Sequence, residues 1–287
     1  MRWAPAWVRA LVVGYPLVFL LLLFAVPMVL LVALSFYRNI PGGSYEPAFT
    51  LENYARSLRP LYVKRLGFTV GISGLTALTC LVLAFPYTYY VARMASPRVR
   101  KLALWLAVST LWLTYVVRAF GWSVLLSRSS GIGQLFAWLG LVEIPPSYTP
   151  GFAATLIGFV YVYLPFMIFS LYGTMQSIHR ELEEASMNLG ANRFATLRHV
   201  VLPLARPGMV AGSVLVFLLA MGTYVVPAIL GRPQEWTLPV LITDQVAYES
   251  NIPFGAALSM VLAVIIGILL GLAGRLLGGS GVLVRRG

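Results

Sequence analysis

Six long apolar segments constrain this chain more than any other feature of its sequence. A helix needs about 20 largely apolar residues to cross the hydrocarbon core of a bilayer, and six segments reach that length. They are Leu11–Phe36, Leu66–Ala92, Leu102–Leu126, Gly151–Met175, Gly208–Leu230 and Phe254–Leu277. Prolines within several of them are compatible with kinked spans, because neighbouring helices can satisfy the freed backbone groups. The sequence therefore predicts an all-α membrane protein with six transmembrane helices in a single domain over residues 1–287.

The composition is typical of an integral membrane protein. With 59% hydrophobic and 10% charged residues over 287 positions, there is too little polar surface to cover a soluble globule of this size. The first apolar segment far exceeds the roughly 7–15 residues of a secretory signal core, so we interpret it as a retained span. The apolar part of Ser129–Tyr148 is too short to span, and we interpret it as an interfacial or re-entrant helix.

The basic residues predict an orientation in the membrane. The net charge of +12 comes from Lys and Arg that stand mostly at the ends of apolar runs, not on one basic face, which argues against nucleic-acid binding. With the N-terminus inside, 13 of these residues fall on inner segments and seven on outer ones, so the positive-inside rule places both termini in the cytoplasm. Five basic residues in the first outer loop oppose the rule, and we assign Arg56, Arg59, Lys64 and Arg65 to a helix leading into the second span.

The same orientation places the polar loop of residues 176–207 in the cytoplasm. Apolar residues at helical spacing predict a short amphipathic helix over Ser177–Leu189. Gly190 can end this helix in a left-handed conformation, and Asn192 can cap a second helix over Arg193–Val201. Pro203 and Pro207 should limit helix continuation before the fifth span. From composition alone, a partner-docking surface and a helix lying on lipid headgroups are equally good interpretations.

Other classes of membrane protein find less support in the sequence. None of the nine acidic residues lies inside a predicted span, which weighs against a proton-coupled carrier, although sodium sites built from carbonyl groups stay open. The chain has no G-x4-G-K-[ST] phosphate loop, so hydrolysis of nucleotide should need another subunit. The sequence shows no catalytic motif of a membrane enzyme. The two histidines, His179 and His199, both fall in the predicted cytoplasmic loop.

The loop carries a spaced motif that is typical of one family. Glu184-Ala185-Ser186, Gly190 and Val200-x-Leu202-Pro203 keep every spacing of the EAA motif (E-A-A-x3-G-x9-I-x-L-P), with Ser186 for the last Ala and Val200 for Ile. The chain thus resembles the permease subunits of binding-protein-dependent ABC importers. Further stretches (Arg118–Trp122, Gly222–Pro227 and Pro253–Ala257) make it similar to the B-type permease of spermidine/putrescine importers.

This resemblance implies a set of properties. It implies the type I ABC importer permease fold, a multi-pass position in the bacterial inner membrane, and a non-catalytic role. The implied partners are two ATPase subunits, a second homologous permease and an extracytoplasmic solute-binding protein. No cofactor is expected on this chain, because ATP and Mg²⁺ would bind the ATPase. The docking residues would be Glu184, Ala185, Ser186, Leu189, Gly190, Phe194, Leu202 and Pro203.

The cargo implied by the resemblance is a polyamine. Amines are attracted to acidic groups and aromatic faces, which Asp244, Tyr161 and Tyr224 supply. The residues assigned to the substrate pathway are Arg118, Trp122, Tyr161, Thr223, Tyr224 and Asp244. Arg118 allows two interpretations, one in which it lines the cavity or binds a carbonyl group, and one in which it extends to the outer interface. A cavity-lining Arg118 would suit an anionic cargo better, so an oxyanion, an iron complex or an amino-acid derivative stays open as the solute.

Overall fold

The structure is a computed structural model that describes residues 6–40, 44–127, 134, 137–140 and 148–278. These residues are almost entirely helical, apart from the antiparallel strands β1 (Arg38–Ile40) and β2 (Ser44–Glu46). The helices in the described part of the chain are α1 Ala6–Ser35, α2 Glu52–Ser57, α3 Pro60–Arg93, α4 Pro97–Ser109, α5 Tyr115–Leu125, α6 Phe152–Ser177, α7 Arg180–Asn188, α8 Arg193–Thr196, α9 Leu202–Gly222, α10 Val225–Leu230, α11 Leu238–Ala247 and α12 Ile252–Gly278. Short 3-10 turns cover Thr110–Trp112 and Pro233–Glu235, and a π turn covers Leu197–Val201.

The predicted spans appear as five unbroken helices and one bent pair. The unbroken helices that are long and apolar enough to cross a membrane are Gly14–Ser35, Pro60–Arg93, Phe152–Ser177, Arg193–Gly222 and Ile252–Arg275. The helical class and the number of candidate spans are therefore confirmed. The helix predicted to lead into the second span is also present, since Arg56 lies in α2 and Lys64 and Arg65 lie in α3. The helix predicted within Ser129–Tyr148 falls largely outside the described residues.

The prediction of one continuous third span over Leu102–Leu126 is wrong. The segment is broken between Trp112 and Tyr115, and the two helical parts meet at a bend of 97°. Leu113 has an extended backbone, and the Thr114 hydroxyl accepts a hydrogen bond from the Val117 N–H at 3.4 Å, so Thr114 caps a new helix. A threonine at this place competes with helix continuation, because its side chain satisfies a backbone donor of the next turn.

The fifth span also differs from the predicted Gly208–Leu230. Its helix ends at Gly222, Thr223 is extended, and α10 begins at Val225. At the other end, the prediction that Pro203 and Pro207 limit the helix is wrong, because helical backbone runs without a break from Arg193 to Gly222. The π turn ends at Val201, two residues before Pro203. Its wider backbone leaves room for the proline ring, and the N–H that a proline lacks is not needed there.

The described residues fall into two compact units. One unit takes in residues 64–240 and 268–287. Its core lies between α6 and α9, where buried Phe159, Met167 and Val216 are fully enclosed. Glycine permits the close approach of these helices: a Cβ on Gly208 would lie 2.6 Å from the Thr174 Cβ. Ser170 Oγ donates to the Gly208 carbonyl at 2.9 Å in the same contact.

The other unit takes in residues 1–63 and 241–267. Asn53 holds the end of α1 through hydrogen bonds from its Nδ2 to the carbonyls of Ser35 (3.0 Å) and Tyr37 (2.8 Å). The Arg56 guanidinium lies 4.2 Å from the centre of the Phe254 ring, so one of the basic residues that opposed the charge rule is held by a cation–π contact. A single permease domain over residues 1–287 stays a prediction.

Candidate functional site

The loop between α6 and α9 begins with a helix that ends at a glycine, as the spacing predicts. Helix α7 runs from Arg180 to Asn188, and Gly190 has φ of +91°. The Gly190 N–H donates to the Met187 carbonyl at 3.0 Å, and the Ala191 N–H donates to the Ser186 carbonyl at 3.2 Å. These bonds satisfy carbonyl groups that the end of a helix leaves open. A Cβ on Gly190 would meet nothing within 4 Å, so the requirement for glycine comes from the backbone and not from packing.

Asn192 starts the second helix of the loop, which is also as predicted. Its side-chain Oδ1 accepts a hydrogen bond from the Ala195 N–H at 2.8 Å. Ser186 Oγ and Thr196 Oγ1 are 3.2 Å apart and join α7 to α8. Because the helical backbone then continues through the π turn into α9, the second helix of the loop and the fifth span are one mechanical element.

A hollow of about 600 Å³ lies between α7 and the segment where the π turn joins α9. Its wall contains Leu182, Ala185, Ser186, Leu189, Ala191, His199, Val200, Pro203 and Leu204. Leu189 is 90% exposed and Phe194 is 70% exposed, so the apolar side chains predicted to dock a partner are uncovered in this chain. Glu184 is exposed, Leu202 is half-buried, and Gly190 sets the turn between the helices.

Sequence reasoning missed an ion pair that ties this loop to the end of α3. Arg93 Nε lies 2.8 Å from Glu183 Oε1, and the two side chains are 9% and 13% exposed. Arg93 Nη2 also donates to the Ile178 carbonyl at 2.9 Å, and Arg180 Nη2 donates to the Arg93 carbonyl at 3.3 Å. The sequence shows Arg93 only as a basic residue at the end of a span and Glu183 only as a surface charge. No local pattern joins two residues that are 90 positions apart.

A cavity of about 450 Å³ lies among α5, α6 and the break between α9 and α10. Arg118, Thr223 and Tyr224 line it, as does Tyr115, which sequence reasoning did not single out. The Tyr163 hydroxyl donates to the Leu219 carbonyl at 3.1 Å and shares a hydrogen bond with Thr223, which fixes the break against α6. Arg118 is 8% exposed, so its predicted extension to the outer interface is not the conformation that the structure shows.

A second hollow of about 350 Å³ lies on the other side of the Arg118 side chain. Arg118, Trp122 and Tyr161 line it, and the Trp122 and Tyr161 rings meet edge to face with their centres 5.6 Å apart. The two hollows thus bring together five of the six residues assigned to the substrate pathway. Asp244 lies half-buried on α11 in the other compact unit, where its carbonyl accepts from the Tyr248 N–H at 3.0 Å. The role of all six residues in transport stays a prediction.

Three features define a transport permease subunit. The chain has helices that can span a bilayer, a cavity among three of them, and an exposed loop with an EAA-like motif. Residues 17–278 match the model of the family described as the binding-protein-dependent transport system inner membrane component, and the chain belongs to this family. It is a permease subunit of a bacterial binding-protein-dependent ABC importer, so the predicted family and inner-membrane location are confirmed.

Curated relatives and solved structures agree with this assignment. The spermidine/putrescine transport system permease protein PotB of Salmonella typhimurium is 33% identical over 261 residues, which cover 90% of this chain and 88% of that protein. The inner membrane ABC transporter permease protein YdcU of Escherichia coli is 30% identical, over 81% of this chain and 78% of that protein. A crystal structure of a bacterial alginate ABC transporter in complex with an alginate pentasaccharide-bound periplasmic protein contains a chain with TM-score 0.74 and 16% identity, covering 94% of this chain and 93% of that one. The type I importer permease fold is thereby confirmed.

Proposed function

We propose that this permease couples to a separate ATPase through the loop of α7 and α8. The observation that carries the proposal is the hollow formed by the motif residues, beside which Leu189 and Phe194 stand exposed. Large apolar side chains around a concave surface are typical anchors of a protein interface. The exposed carboxylates of Glu181 and Glu184 fit a protein partner better than an anionic lipid surface.

The loop can pass movement of the partner into the membrane along two connections. The first is the continuous helix from Arg193 to Gly222, and the second is the ion pair between Glu183 and Arg93. ATP-driven closure of the partner would thus move the ends of α3 and α9 together. In this proposal ATP and Mg²⁺ bind the ATPase, the loop and both termini are cytoplasmic, and this chain carries no cofactor.

The other proposed subunits are a second permease, which supplies the other half of the pathway, two ATPase subunits, and an extracytoplasmic solute-binding protein. Genes for an ATPase, a second six-span permease and a secreted binding protein should lie beside the gene for this chain. Isolation from all three would count strongly against the proposal. A stand-alone secondary carrier, the other candidate, would instead accumulate solute in liposomes under an ion gradient with this chain alone.

Substitution of Gly190 by Asp tests the docking surface. The new carboxylate would stand in open space at the turn, so we expect the ATPase to be lost on co-purification while membrane insertion is unchanged. Gly140→Asp is the matched control, because Gly140 also has a positive φ (+71°) and open space at its Cβ but lies in another segment. Unchanged co-purification of the ATPase with Gly190→Asp would remove the docking proposal.

We propose a polyamine as the cargo, on the basis of the 33% identity to a spermidine/putrescine permease over 90% of the chain. Tyr115, Trp122, Tyr161 and Tyr224 offer ring faces to a cation along the two hollows. One observation favours a second candidate, a solute with an anionic group: the residues described as lining the two hollows include Arg118 and no carboxylate. Equilibrium binding of polyamines, amino acids and oxyanions to the partner binding protein separates these candidates.

A further inference from the structure

The side chain of Arg118 is buried without the partners that a buried guanidinium requires. It is 8% exposed, and its Nε and Nη1 are enclosed with no hydrogen-bond acceptor among the described residues. Buried cations are normally paired, because removing a charge from water costs several kcal/mol unless an acceptor replaces the water. The nearby Tyr163 hydroxyl bonds to the Leu219 carbonyl and to Thr223, and it accepts no hydrogen bond from the Nε or Nη1 of Arg118.

The surroundings of Arg118 add further positive potential. Helix α5 starts at Tyr115 after the 97° bend. Tyr115 and Arg118 belong to its first turn, and both line the cavity among α5, α6 and the break between α9 and α10. The first turn of a helix has N–H groups without intrahelical partners, and its dipole favours an anion there. The cavity of about 450 Å³ is large enough for a small solute or for one end of a longer one.

We propose that this cavity is a subsite for an oxyanion group of the cargo, with Arg118 as its main ligand. A carboxylate, sulfonate or phosphate-like group could accept hydrogen bonds from the guanidinium in the geometry that Arg prefers. The amines of a simple polyamine would bring only donors and positive charge to this place. Of the two candidate cargoes named above, the subsite therefore favours the solute with an anionic group, alone or at one end of an amine-bearing chain, over a simple polyamine. Calling the bound group cargo rests on the proposed function, whereas the anion preference of the cavity does not.

The preference is measured with a pair of thiol reagents of opposite charge. Cys80, the only cysteine, is first replaced by Ser, and Tyr224→Cys then places a thiol on the cavity wall. In membrane vesicles that carry the chain with the subunits encoded beside it, the probes are the sulfonatoethyl and the trimethylammonioethyl methanethiosulfonates. Each reagent forms a mixed disulfide with the thiol and releases methanesulfinate, so the ratio of the two rates reports the local potential.

We expect Arg118→Met to lower the ratio of anionic to cationic rate by at least about tenfold, as removal of one nearby unit charge from a site of reduced dielectric should. Arg118→Lys should keep most of the ratio. Phe49→Cys, on the exposed loop before α2, is the control whose ratio should not respond to Arg118→Met. Tyr115→Cys, on the same cavity, should respond as Tyr224→Cys does.

Two results would overturn the proposal. The first is a ratio at Tyr224→Cys and Tyr115→Cys that Arg118→Met leaves unchanged, which would also be the result if a carboxylate of another subunit neutralised the guanidinium. The second is a lack of reaction at both positions with either reagent, because a cavity closed to small ions cannot receive a cargo group. Failure of the ATPase-docking proposal is distinguishable, since it would appear as unaltered co-purification of Gly190→Asp and would leave the labelling ratio intact.

Discussion

At the scale of single residues, Gly190 and Asn192 set the geometry of the loop between α6 and α9 through two different backbone effects. Gly190 takes a φ of +91°, which strains any residue with a Cβ, and so reverses the chain after α7. Asn192 has an extended backbone and supplies the acceptor that the first turn of α8 lacks. The motif residues on either side can line one hollow only because the chain turns at these two positions.

Asn192→Ala should loosen the start of the second loop helix. Loss of an Asn cap costs about 1 kcal/mol, which corresponds to roughly fivefold faster amide hydrogen exchange when the local opening is measured. We expect this increase at residues 194–196 and no change in the middle of α6. Asn192→Ser keeps a side-chain acceptor and is the matched control. Equal exchange in the Ala and Ser variants would show that the hydrogen bond to the Ala195 N–H does not stabilise the helix.

At the scale of elements, α7 is held to the end of α3 by Arg93, which contacts both Glu183 and the Ile178 carbonyl. The two charged side chains are largely buried, so water screens the attraction between them less than it would at an exposed surface. The connection makes α7 part of the span bundle, and we infer that it gives a docked partner a second route into the membrane.

Glu183→Gln should weaken this connection without changing the shape of the side chain. Loss of the negative charge should cost about 1–2 kcal/mol, a value between those of exposed and of fully buried ion pairs, because it leaves the largely buried Arg93 without its opposite charge. Amides of α7 should then exchange about five- to thirtyfold faster. Glu181→Gln removes an exposed carboxylate from the same helix and should have little effect. A similar response to both substitutions would mean that the ion pair does not hold the loop.

The elements also show which parts of the fold can be predicted. The number of candidate spans, the turn at Gly190 and the Asn192 cap follow from apolar length and from the chemistry of nearby residues, and the structure contains them. The breaks at Thr114 and Thr223 were missed because a threonine inside an apolar run is compatible with a helix until tertiary contacts select otherwise, such as the hydrogen bonds of Tyr163 at the second break. Pro203 was misjudged because a π turn ends two residues before it and can absorb its ring, and Pro207 was misjudged because a transmembrane helix tolerates a proline in its interior.

The candidate site divides in the same way. The docking motif lies within one short stretch of sequence, and four of its eight predicted residues (Ala185, Ser186, Leu189 and Pro203) line one hollow, while the docking role of all eight stays a prediction. Residues from three separate helices line the cavity around Arg118, and their residue types suggested candidates without predicting the arrangement. The burial of Arg118 and the pair of Arg93 with Glu183 depend on which helices are neighbours, and no periodicity in the chain records that.

At the scale of the whole molecule, the chain is a permease subunit of a binding-protein-dependent importer. The loop between its α6 and α9 has a hollow with exposed apolar side chains. In our account the loop determines how transport is powered, and the cavity at Arg118 helps to determine what is transported. The two sites are joined by α9, which runs from the π turn of the loop to the break at Thr223.

Photo-crosslinking from Leu189 tests the central claim most directly. A photoreactive amino acid replaces Leu189, which is 90% exposed, and adducts are identified by mass spectrometry in native membranes. Leu22, an exposed residue of α1, is the control position and should give lipid adducts. The account predicts that Leu189 crosslinks to a separate subunit that contains a G-x4-G-K-[ST] phosphate loop. Adducts at Leu189 that are confined to lipid, as at Leu22, would contradict it.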